Sequence, residues 1–406
     1  MLAALAWRNL WRRPQRTVLS LLSIAIAAAL LVFVLSFQIG VYATMIQSTL
    51  RIFDGYAQFQ PEGYAADPTL DRTISHPELL AREASAVHGV AIAAPRVNGF
   101  AILAHGERSY GAAVIGVDPA SEARISSIAA TIRDGRFLAS NDRGDAVLGD
   151  ILARNLKLGV GEKVTMLGAA RDGSVAADVL RVAGIFHSGV PEFDRSILEM
   201  PLARAQDTFA MGDRANTIAL GGRSLGGVDA ALPTLEALAH RHGVAVLDWG
   251  DLEPALRDVI VLKIATAMLF YLTLVAVVAF IILNTLLMSV LERTREFGVL
   301  LAIGMRPGMI GAMVWFELLG LALSGCAIGL AIGAGATLWF EQHGIVYPGM
   351  AKLLAQYGLP PRLYPALTPL SALVGPGAIM ASIAIGGIVP YLRVARLTAA
   401  SAMRAA

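Results

Sequence analysis

The most enzyme-like motif in this 406-residue sequence is the pentapeptide GRSLG at Gly222–Gly226. The pattern G-x-S-x-G marks the nucleophile elbow of serine hydrolases, in which a serine lies at a sharp turn between a strand and a helix. Ser224 would need a carboxylate and a later histidine, and the candidates are Asp229, Asp248, His240 and His242. A pattern with so few fixed positions arises often by chance in a chain with 40 glycines, so we favour an ordinary strand-to-helix turn.

Neither metal-binding nor nucleotide-binding chemistry has a matching motif in the sequence. His240 and His242 have no third ligand near them, and neither an H-E-x-x-H motif nor a pair of cysteines occurs. The G-x-x-x-x-G-K-[ST] loop, which would hold nucleotide phosphates, is also absent. We therefore predict no metal site and no cofactor bound directly by this chain.

The elements that must position any site are dominated by apolar residues. The chain is 56% hydrophobic and 16% charged, with a mean hydropathy of +0.61, which a water-soluble protein rarely reaches. A bilayer-spanning helix needs about 20 apolar residues, and four segments of the sequence reach this length: 17–45, 259–290, 309–340 and 369–392. We predict that these are transmembrane helices 1 to 4, in contact with membrane lipids, and we expect no nucleic-acid partner.

Residues 46–258, between the first and second spans, have the mixed composition of a soluble domain. The segments VNGFAILA, GAAVIGVD and KVTML are typical of strands, whereas SHPELLAREASAVHG and LPTLEALAHRHG have helical spacing. The predicted fold class is a membrane α-helical protein with four transmembrane helices and a large mixed α/β extracytoplasmic domain inserted between helices 1 and 2.

The basic residues predict the orientation of the chain. Arginines concentrate in the N-terminal segment 1–16, in the loop 291–308 and in the tail 393–406, whereas the loop 341–368 has only two basic residues. By the positive-inside rule, both termini and the loop 291–308 are cytoplasmic. The α/β domain and the loop 341–368 then lie outside.

The N-terminal segment 1–16 predicts an amphipathic helix that lies flat on the inner leaflet. On a helical plot its arginines share one face and its tryptophans the opposite face, and Pro14 would make the turn into the first span. The predicted residues of this membrane elbow are Trp7, Arg8, Trp11, Arg12 and Arg13. The alternative is a basic tail that only sets the orientation.

The third span carries two features that suggest helix packing or polar contacts. Gly325, Gly329 and Gly333 form a small-x-x-x-small series, which predicts close approach of another helix, within the chain or across a dimer. Glu317 lies inside the same span, where an unpaired carboxylate is costly. It either reaches the membrane surface near the helix N-terminus or contacts a partner.

The segment LERTREFGVLLAIG, residues 291–304, packs four charges into five positions between two apolar spans. If it is helical, Glu292, Arg295 and Glu296 form one charged cluster for a partner protein. A hydrophobic anchor would be offered by Phe297, Leu300 and Leu301. The alternative is that the arginines here only set the orientation.

These segments resemble the FtsX-like, or MacB-like, family of ABC permeases along the whole chain. LAWRNLWRRPQRTVLSLLSIAIA is similar to the family's N-terminal signature, ERTREFGVLLAIG to its loop, and PYLRVARLTAASAMR to its basic tail. In residues 46–258, VIGVDP, IRDGRFL and AVLGDILARNLKLGVGEKVTML resemble the family's outer domain, and GIFHSGVPEFD most resembles that of lipoprotein-releasing, LolC/LolE-type permeases. Leu301, Ala399 and Ser401 depart from the family pattern.

The resemblance implies a multi-pass permease subunit of the bacterial inner membrane whose large domain is periplasmic. It implies that the chain is not itself an enzyme: a separate cytoplasmic ABC ATPase subunit would hold ATP and Mg and would contact Glu292, Arg293, Arg295, Glu296, Phe297 and Gly298. It further implies a dimer with a second copy or a paralogue, and a periplasmic carrier or adaptor protein as partner.

The function that the resemblance implies is extraction or export of a lipoprotein or another amphiphile from the inner membrane. One alternative is efflux of a drug or peptide through a periplasmic adaptor. The other is an FtsX-like signalling permease that activates a periplasmic enzyme and carries no cargo.

Overall fold

The computed structural model describes residues 14–349 and 360–396. The described residues fall into two compact units, each with its own core. The helical unit is drawn from residues 1–42, 259–346 and 362–406, and the sheet domain from residues 43–258 and 347–361. The sequence predicts 46–258 for the inserted domain.

The described part of the chain contains long apolar helices and short amphipathic ones. In chain order the helices are α1 (Pro14–Leu50), α2 (Pro77–Ser85), α3 (Pro119–Ile125), α4 (Asp150–Leu156), α5 (Pro191–Ser196), α6 (Leu202–Thr208), α7 (Leu225–His242), α8 (Trp249–Leu252), α9 (Pro254–Glu292), α10 (Thr294–Ala302), α11 (Pro307–His343), α12 (Pro369–Gly386) and α13 (Ile388–Ala395).

Within the described residues, four helical segments are long and apolar enough to cross a membrane. They are Thr17–Leu50, Pro254–Asn284, Pro307–His343 and Pro369–Ala395. Proline occupies the first turn of α11 and α12, where its missing N–H leaves no helical hydrogen bond unmade. Four apolar helices together with a mixed α/β domain are what the sequence predicts.

The last apolar segment is one candidate span over Pro369–Ala395, as predicted for 369–392, with a one-residue break at Gly387. Helix α12 ends at Gly386, and α13 resumes at Ile388 after Gly387. Pro390 lacks the N–H that would bond the carbonyl of Gly386, and its ring crowds that carbonyl. Two glycines followed by this proline therefore account for the break.

The sheet domain is built on ten strands that belong to one sheet. They are β1 (Ala57–Gln60), β2 (Val90–His105), β3 (Arg108–Val117), β4 (Ile132–Gly135), β5 (Asp145–Gly149), β6 (Lys163–Ala169), β7 (Val175–Phe186), β8 (Ile197–Pro201), β9 (Thr217–Gly222) and β10 (Ala245–Asp248). In the helical unit, β11 (Ile345–Val346) pairs with β12 (Arg362–Leu363). The predicted strands VNGFAILA, GAAVIGVD and KVTML fall on β2, β3 and β6.

The strand order is β10-β1-β9-β2-β3-β8-β5-β7-β4, and β6 joins β2 to β7. The pairings β2–β3–β8–β5–β7–β6–β2 therefore close a ring of strands. The alternate residues of these strands that point inward form one apolar core, which includes Leu103, Val114, Leu148, Met166 and Leu180. This core makes the ring a rigid frame, so the side chains at the ends of its strands are held in fixed positions.

Candidate functional site

Helix α10 lies between the long helices α9 and α11 and contains most of the predicted coupling residues. Arg293 interrupts the run from α9, because its backbone (φ −99°, ψ 5°) is not helical. After Ala302 the chain turns at Gly304, whose φ of 99° is a left-handed conformation that favours glycine. The charged stretch is therefore a short helix of its own and not a continuation of the preceding span.

One face of α10 is buried in the helical unit. Phe297 is only 1% exposed and packs in a cluster with Val290, Ile310, Val314 and Val394. Leu300 and Leu301 pack against the same cluster and are half-buried. The expectation that Phe297 anchors a partner protein is wrong in this structure, because burial in the chain's own core leaves its ring inaccessible.

The opposite face of α10 is exposed and mixes charge with aliphatic surface. Arg295 and Glu296 on α10 are exposed, and so is Glu292, the last residue of α9. Val299 and Ile303, which are 50% and 78% exposed, continue the same face one and two turns further along. These two apolar side chains are therefore available to a partner, and the sequence alone does not separate them from their buried neighbours.

Arg293 is turned inward and joins three groups. Its Nη1 lies 3.0 Å from Glu317 Oε2 on α11, and its Nε lies 3.3 Å from Glu296 Oε2. The guanidinium also lies over the ring of Phe297, with Cζ 5.3 Å from the ring centroid. Glu317 is thus neutralised by an arginine of the adjacent loop, a pairing that neither sequence alternative for Glu317 names and that no local spacing signals.

The glycine series of α11 packs against α1 of the same chain. A Cβ at Gly329 would lie 2.6 Å from the Cβ of Ala28, and one at Gly325 would lie 2.7 Å from the Cβ of Ile24. A Cβ at Gly333 would lie 2.8 Å from the carbonyl oxygen of Ala29. In this structure the glycine series therefore packs one helix of the chain on another, and a role of the same residues in a dimer stays a prediction.

Two further sequence features have separate outcomes. The predicted membrane elbow, made of Trp7, Arg8, Trp11, Arg12 and Arg13, lies outside the described residues.

Ser224 caps the N-terminus of α7, where its side chain accepts a hydrogen bond from the N–H of Gly227. His242 contacts Glu83 and Asp248 caps α8, so these two triad candidates have other partners. GRSLG is therefore a helix start.

The sheet domain contains a buried charge cluster that sequence reasoning missed. Arg96 donates from Nε and Nη2 to the two carboxylate oxygens of Glu122, at 2.9 and 2.6 Å. Glu199 is also fully buried, and neither of its carboxylate oxygens accepts a hydrogen bond. Burial, followed by the charge of Glu122, raises the pKa of Glu199 well above the usual 4.5. The sheet domain thus holds a buried ion pair beside a buried carboxyl group whose pKa is raised.

A second cluster that sequence reasoning missed joins Asp150, His187 and Asp194. His187 Nδ1 lies 3.1 Å from Asp150 Oδ2 and 3.1 Å from Asp194 Oδ2. The expectation of no metal site considers only short spacings, whereas these residues come together because Gly149 and Phe186 are paired on parallel strands β5 and β7. One oxygen or nitrogen atom from each of the three side chains lies within 4.8 Å of the other two, so the three residues are candidate metal ligands.

Two family models together match most of the chain. The MacB-like periplasmic core domain matches residues 17–237, which are more than half of the chain, and the FtsX-like permease C-terminal domain matches residues 268–399. The second match includes α10 and the Arg293–Glu317 pair, and the first includes both charge clusters of the sheet domain.

Individual proteins are also similar to parts of this chain. The lipoprotein-releasing system transmembrane protein LolC of Neisseria meningitidis is 26% identical over 330 residues, which cover 78% of this chain and 77% of that protein. The macrolide export ATP-binding/permease protein MacB of Chlorobaculum tepidum is 35% identical over 105 residues, or 23% of this chain and 16% of that protein. The periplasmic region of MacB from Actinobacillus actinomycetemcomitans, a solved structure, has 16% identity, a TM-score of 0.37 and coverage of 50% of this chain and 91% of its own.

Proposed function

Because the chain belongs to the FtsX-like permeases with a MacB-like periplasmic core domain, it is a permease subunit of an ABC transporter, and we propose that it transmits ATP hydrolysis by a separate subunit to movements of its periplasmic domain. The observation that carries this proposal is the two-faced helix α10. One face is fixed to the helical unit and the other is available to a cytoplasmic ATPase.

The exposed face of α10 has the chemistry of a protein contact. Glu292, Arg295 and Glu296 supply charges for electrostatic selection of a partner, and Val299 with Ile303 supplies apolar area at the end of the same face. The N-terminal charges and the C-terminal aliphatic side chains would contact different parts of the ATPase surface. This polarity fixes the direction in which the helix binds.

The buried face supports transmission of force. A helix that moves with an ATPase must be attached to the spans it moves, and Phe297 packs it on α11 and α13 while Arg293 pairs with Glu317. Packed interiors deform little, so displacement of α10 displaces its neighbours with it. The coupling set therefore has two parts, namely Glu292, Arg295 and Glu296 for binding, and Arg293, Phe297 and Gly298 for attachment.

The test reverses charge on the binding face only. The double variant Glu292→Lys, Glu296→Lys should insert and fold, yet capture much less of an ABC ATPase from native membranes, identified by its phosphate-loop peptides. ATP hydrolysis by the captured complex should fall in parallel. The control is Glu107→Lys, an exposed charge in the turn between β2 and β3. Equal ATPase capture and hydrolysis in both variants would show that α10 is not the coupling helix.

For the cargo, we propose a lipid-anchored protein or a similar amphiphile drawn from the inner membrane. Support comes from the LolC relative, whose similarity extends over most of both chains, whereas the MacB relatives share a shorter stretch. The assembly would be a dimer with a second copy or a paralogue, with a periplasmic carrier as acceptor. Both termini would face the cytoplasm.

A release assay separates this cargo from the alternatives. Spheroplasts would carry a fluorescent protein anchored by acyl chains, and control spheroplasts the same protein anchored by a transmembrane helix. We expect release of the acylated form alone, dependent on ATP and on this permease. Drug resistance without such release would favour efflux with an adaptor. Activation of a cell-wall hydrolase without release or efflux would favour a signalling permease.

A further inference from the structure

The edge of the sheet at which β5 and β7 end brings together side chains with the chemistry of a metal site. Asp150 directly follows β5, and His187 directly follows β7, after the paired residues Gly149 and Phe186. Asp194 comes from α5, which passes so close to β5 that a Cβ at Gly149 would lie 2.6 Å from Asp194 Cα. Glycine at this position therefore allows the third side chain to reach the other two.

The distances fit a bound cation. Metal bonds of ~2.0–2.2 Å place neighbouring ligand atoms about 2.8–3.6 Å apart in octahedral or tetrahedral geometry. His187 Nδ1 lies 3.1 Å from an oxygen of each aspartate. Without a cation, one ring nitrogen must serve both carboxylates with at most one proton.

The hydrogen bonding leaves two buried oxygens for a ligand. Asp194 is 1% exposed; its Oδ1 accepts from the backbone N–H and the hydroxyl of Ser188, both at 2.7 Å, while Oδ2 accepts no hydrogen bond. The Asp150 oxygen that lies 3.1 Å from His187 is Oδ2, which also accepts from Arg154 Nη1, whereas Oδ1 of Asp150 is buried without a hydrogen bond. Carboxylates that bind metal are commonly held in this way through their other oxygen.

We propose that Asp150, His187 and Asp194 form a binding site for a divalent transition-metal cation, for which Zn²⁺ is the natural probe. One imidazole nitrogen and two carboxylates are ligands that such ions accept, and water completes the coordination. The side chain of His187 is 34% exposed, which gives the ion a route from solvent. The bound ion would hold the ends of β5 and β7 to α5.

The positive charges of the arginines beside Asp150 oppose the binding of a cation there, and this opposition can be tested. Arg154 Nη1 lies 2.8 Å from Asp150 Oδ2, and Arg133 Nη1 lies 4.0 Å from the same oxygen. Both arginine side chains are more than half exposed, so they can turn into solvent when an ion binds. Removing the charge of Arg154 should therefore tighten metal binding, whereas in a purely internal salt-bridge network it would create no affinity for metal.

The experiment is Zn²⁺ titration calorimetry on the full chain in detergent after chelator treatment, with Co²⁺ absorption as the spectroscopic readout of coordination. We expect one Zn²⁺ per chain, loss of affinity by more than about 100-fold in His187→Gln and in Asp194→Asn, and a gain of about fivefold in Arg154→Gln. His240→Gln, an exposed histidine on α7, is the matched control and should bind as the wild type does.

Each outcome decides the proposal. Absence of Zn²⁺ binding at micromolar concentrations, or unchanged binding in His187→Gln, would overturn it. Loss of binding in His240→Gln as well would show that the ion is held elsewhere. If Asp194→Asn does not fold, His187→Gln and Arg154→Gln decide, because both replace side chains that are at least one third exposed.

Discussion

Arg293 Nη1 lies 3.0 Å from Glu317 Oε2, and this ion pair links the start of α10 to the third turn of α11. Both side chains are largely buried, at 16% and 12% exposure. A carboxylate inside an apolar helix is costly alone, so the pairing explains how Glu317 is accommodated. The two arginines of this segment therefore have different roles: Arg293 turns inward to pair with Glu317, whereas Arg295 faces outward.

Arg293→Ala should destabilise the helical unit by about 2–3 kcal/mol, because it removes the cation that faces a mostly buried carboxylate. The measurement is thermal unfolding in detergent. The exposed neighbour Arg295→Ala is the control and should change stability little. The exchange Arg293→Glu with Glu317→Arg should recover part of the loss. If Arg293→Ala and Arg295→Ala behave alike, the pair contributes nothing measurable.

Gly329→Leu should weaken the packing of α11 on α1 and lower stability by about 1–3 kcal/mol, the usual effect of overpacking. A side chain there would meet the backbone of Ala25 and the Cβ of Ala28, which cannot move without separating the helices. Gly335→Leu makes the same change on the same helix, at a position with no neighbouring atom within 4 Å. Thermal unfolding of the two variants should differ clearly; equal melting temperatures would contradict close packing at Gly329.

Glu199→Gln should remove a pH dependence from the stability of the sheet domain. The pKa of Glu199 is raised above 4.5 in the folded protein by burial and by Glu122, so the folded state keeps a proton that the unfolded state releases. This contribution is complete below about pH 4.5 and is lost as pH rises through the folded pKa. The stability of the variant relative to wild type should therefore increase with pH.

Glu122→Gln is the companion variant for that experiment, because it removes the charge that helps to raise the pKa of Glu199. It weakens the bidentate ion pair with Arg96 and should destabilise the protein at every pH measured. Chemical or thermal unfolding across about pH 5 to about pH 8 distinguishes the two variants. A constant difference between Glu199→Gln and wild type over this range would mean that Glu199 does not titrate there.

Asp178→Asn should destabilise the contact between β7 and α6 at neutral pH. Burial acts to raise the pKa of Asp178, but hydrogen bonds from Arg204, the Val179 N–H and Thr208 outweigh it and hold the pKa below 3.8. The carboxylate's contribution is present above about pH 4 and is lost as pH falls through the folded pKa. Since Arg204 is partly exposed, we expect a loss of about 1–2 kcal/mol at neutral pH.

Unfolding at neutral and acidic pH measures the effect, with the exposed Asp71→Asn as control. The difference between Asp178→Asn and wild type should shrink at the acidic end, where both side chains are uncharged. A difference that stays the same size down to the lowest pH at which the protein folds would show that charge at Asp178 is not the cause.

The sequence by itself determines the features that depend on sums over neighbouring residues. The free energy of membrane insertion is a sum over about twenty consecutive side chains, so the four apolar helices can be recognised from the sequence without knowledge of any long-range contact. The alternation and turn residues of segments such as VNGFAILA likewise mark the strands. The exposed charges of α10 follow from helical spacing.

Only the tertiary structure decides which partner each side chain meets. Phe297 and Val299 are both apolar and two residues apart, yet the packing of α10 on α11 and α13 buries one and exposes the other. The glycines at 325, 329 and 333 predict a close neighbour, but the chain path is what makes that neighbour α1. Asp150 and His187 are 37 residues apart in sequence and meet because β5 and β7 pair in parallel in one register. Such contacts depend on register and helix rotation, which are set by the packing of the whole unit, and no local pattern encodes them.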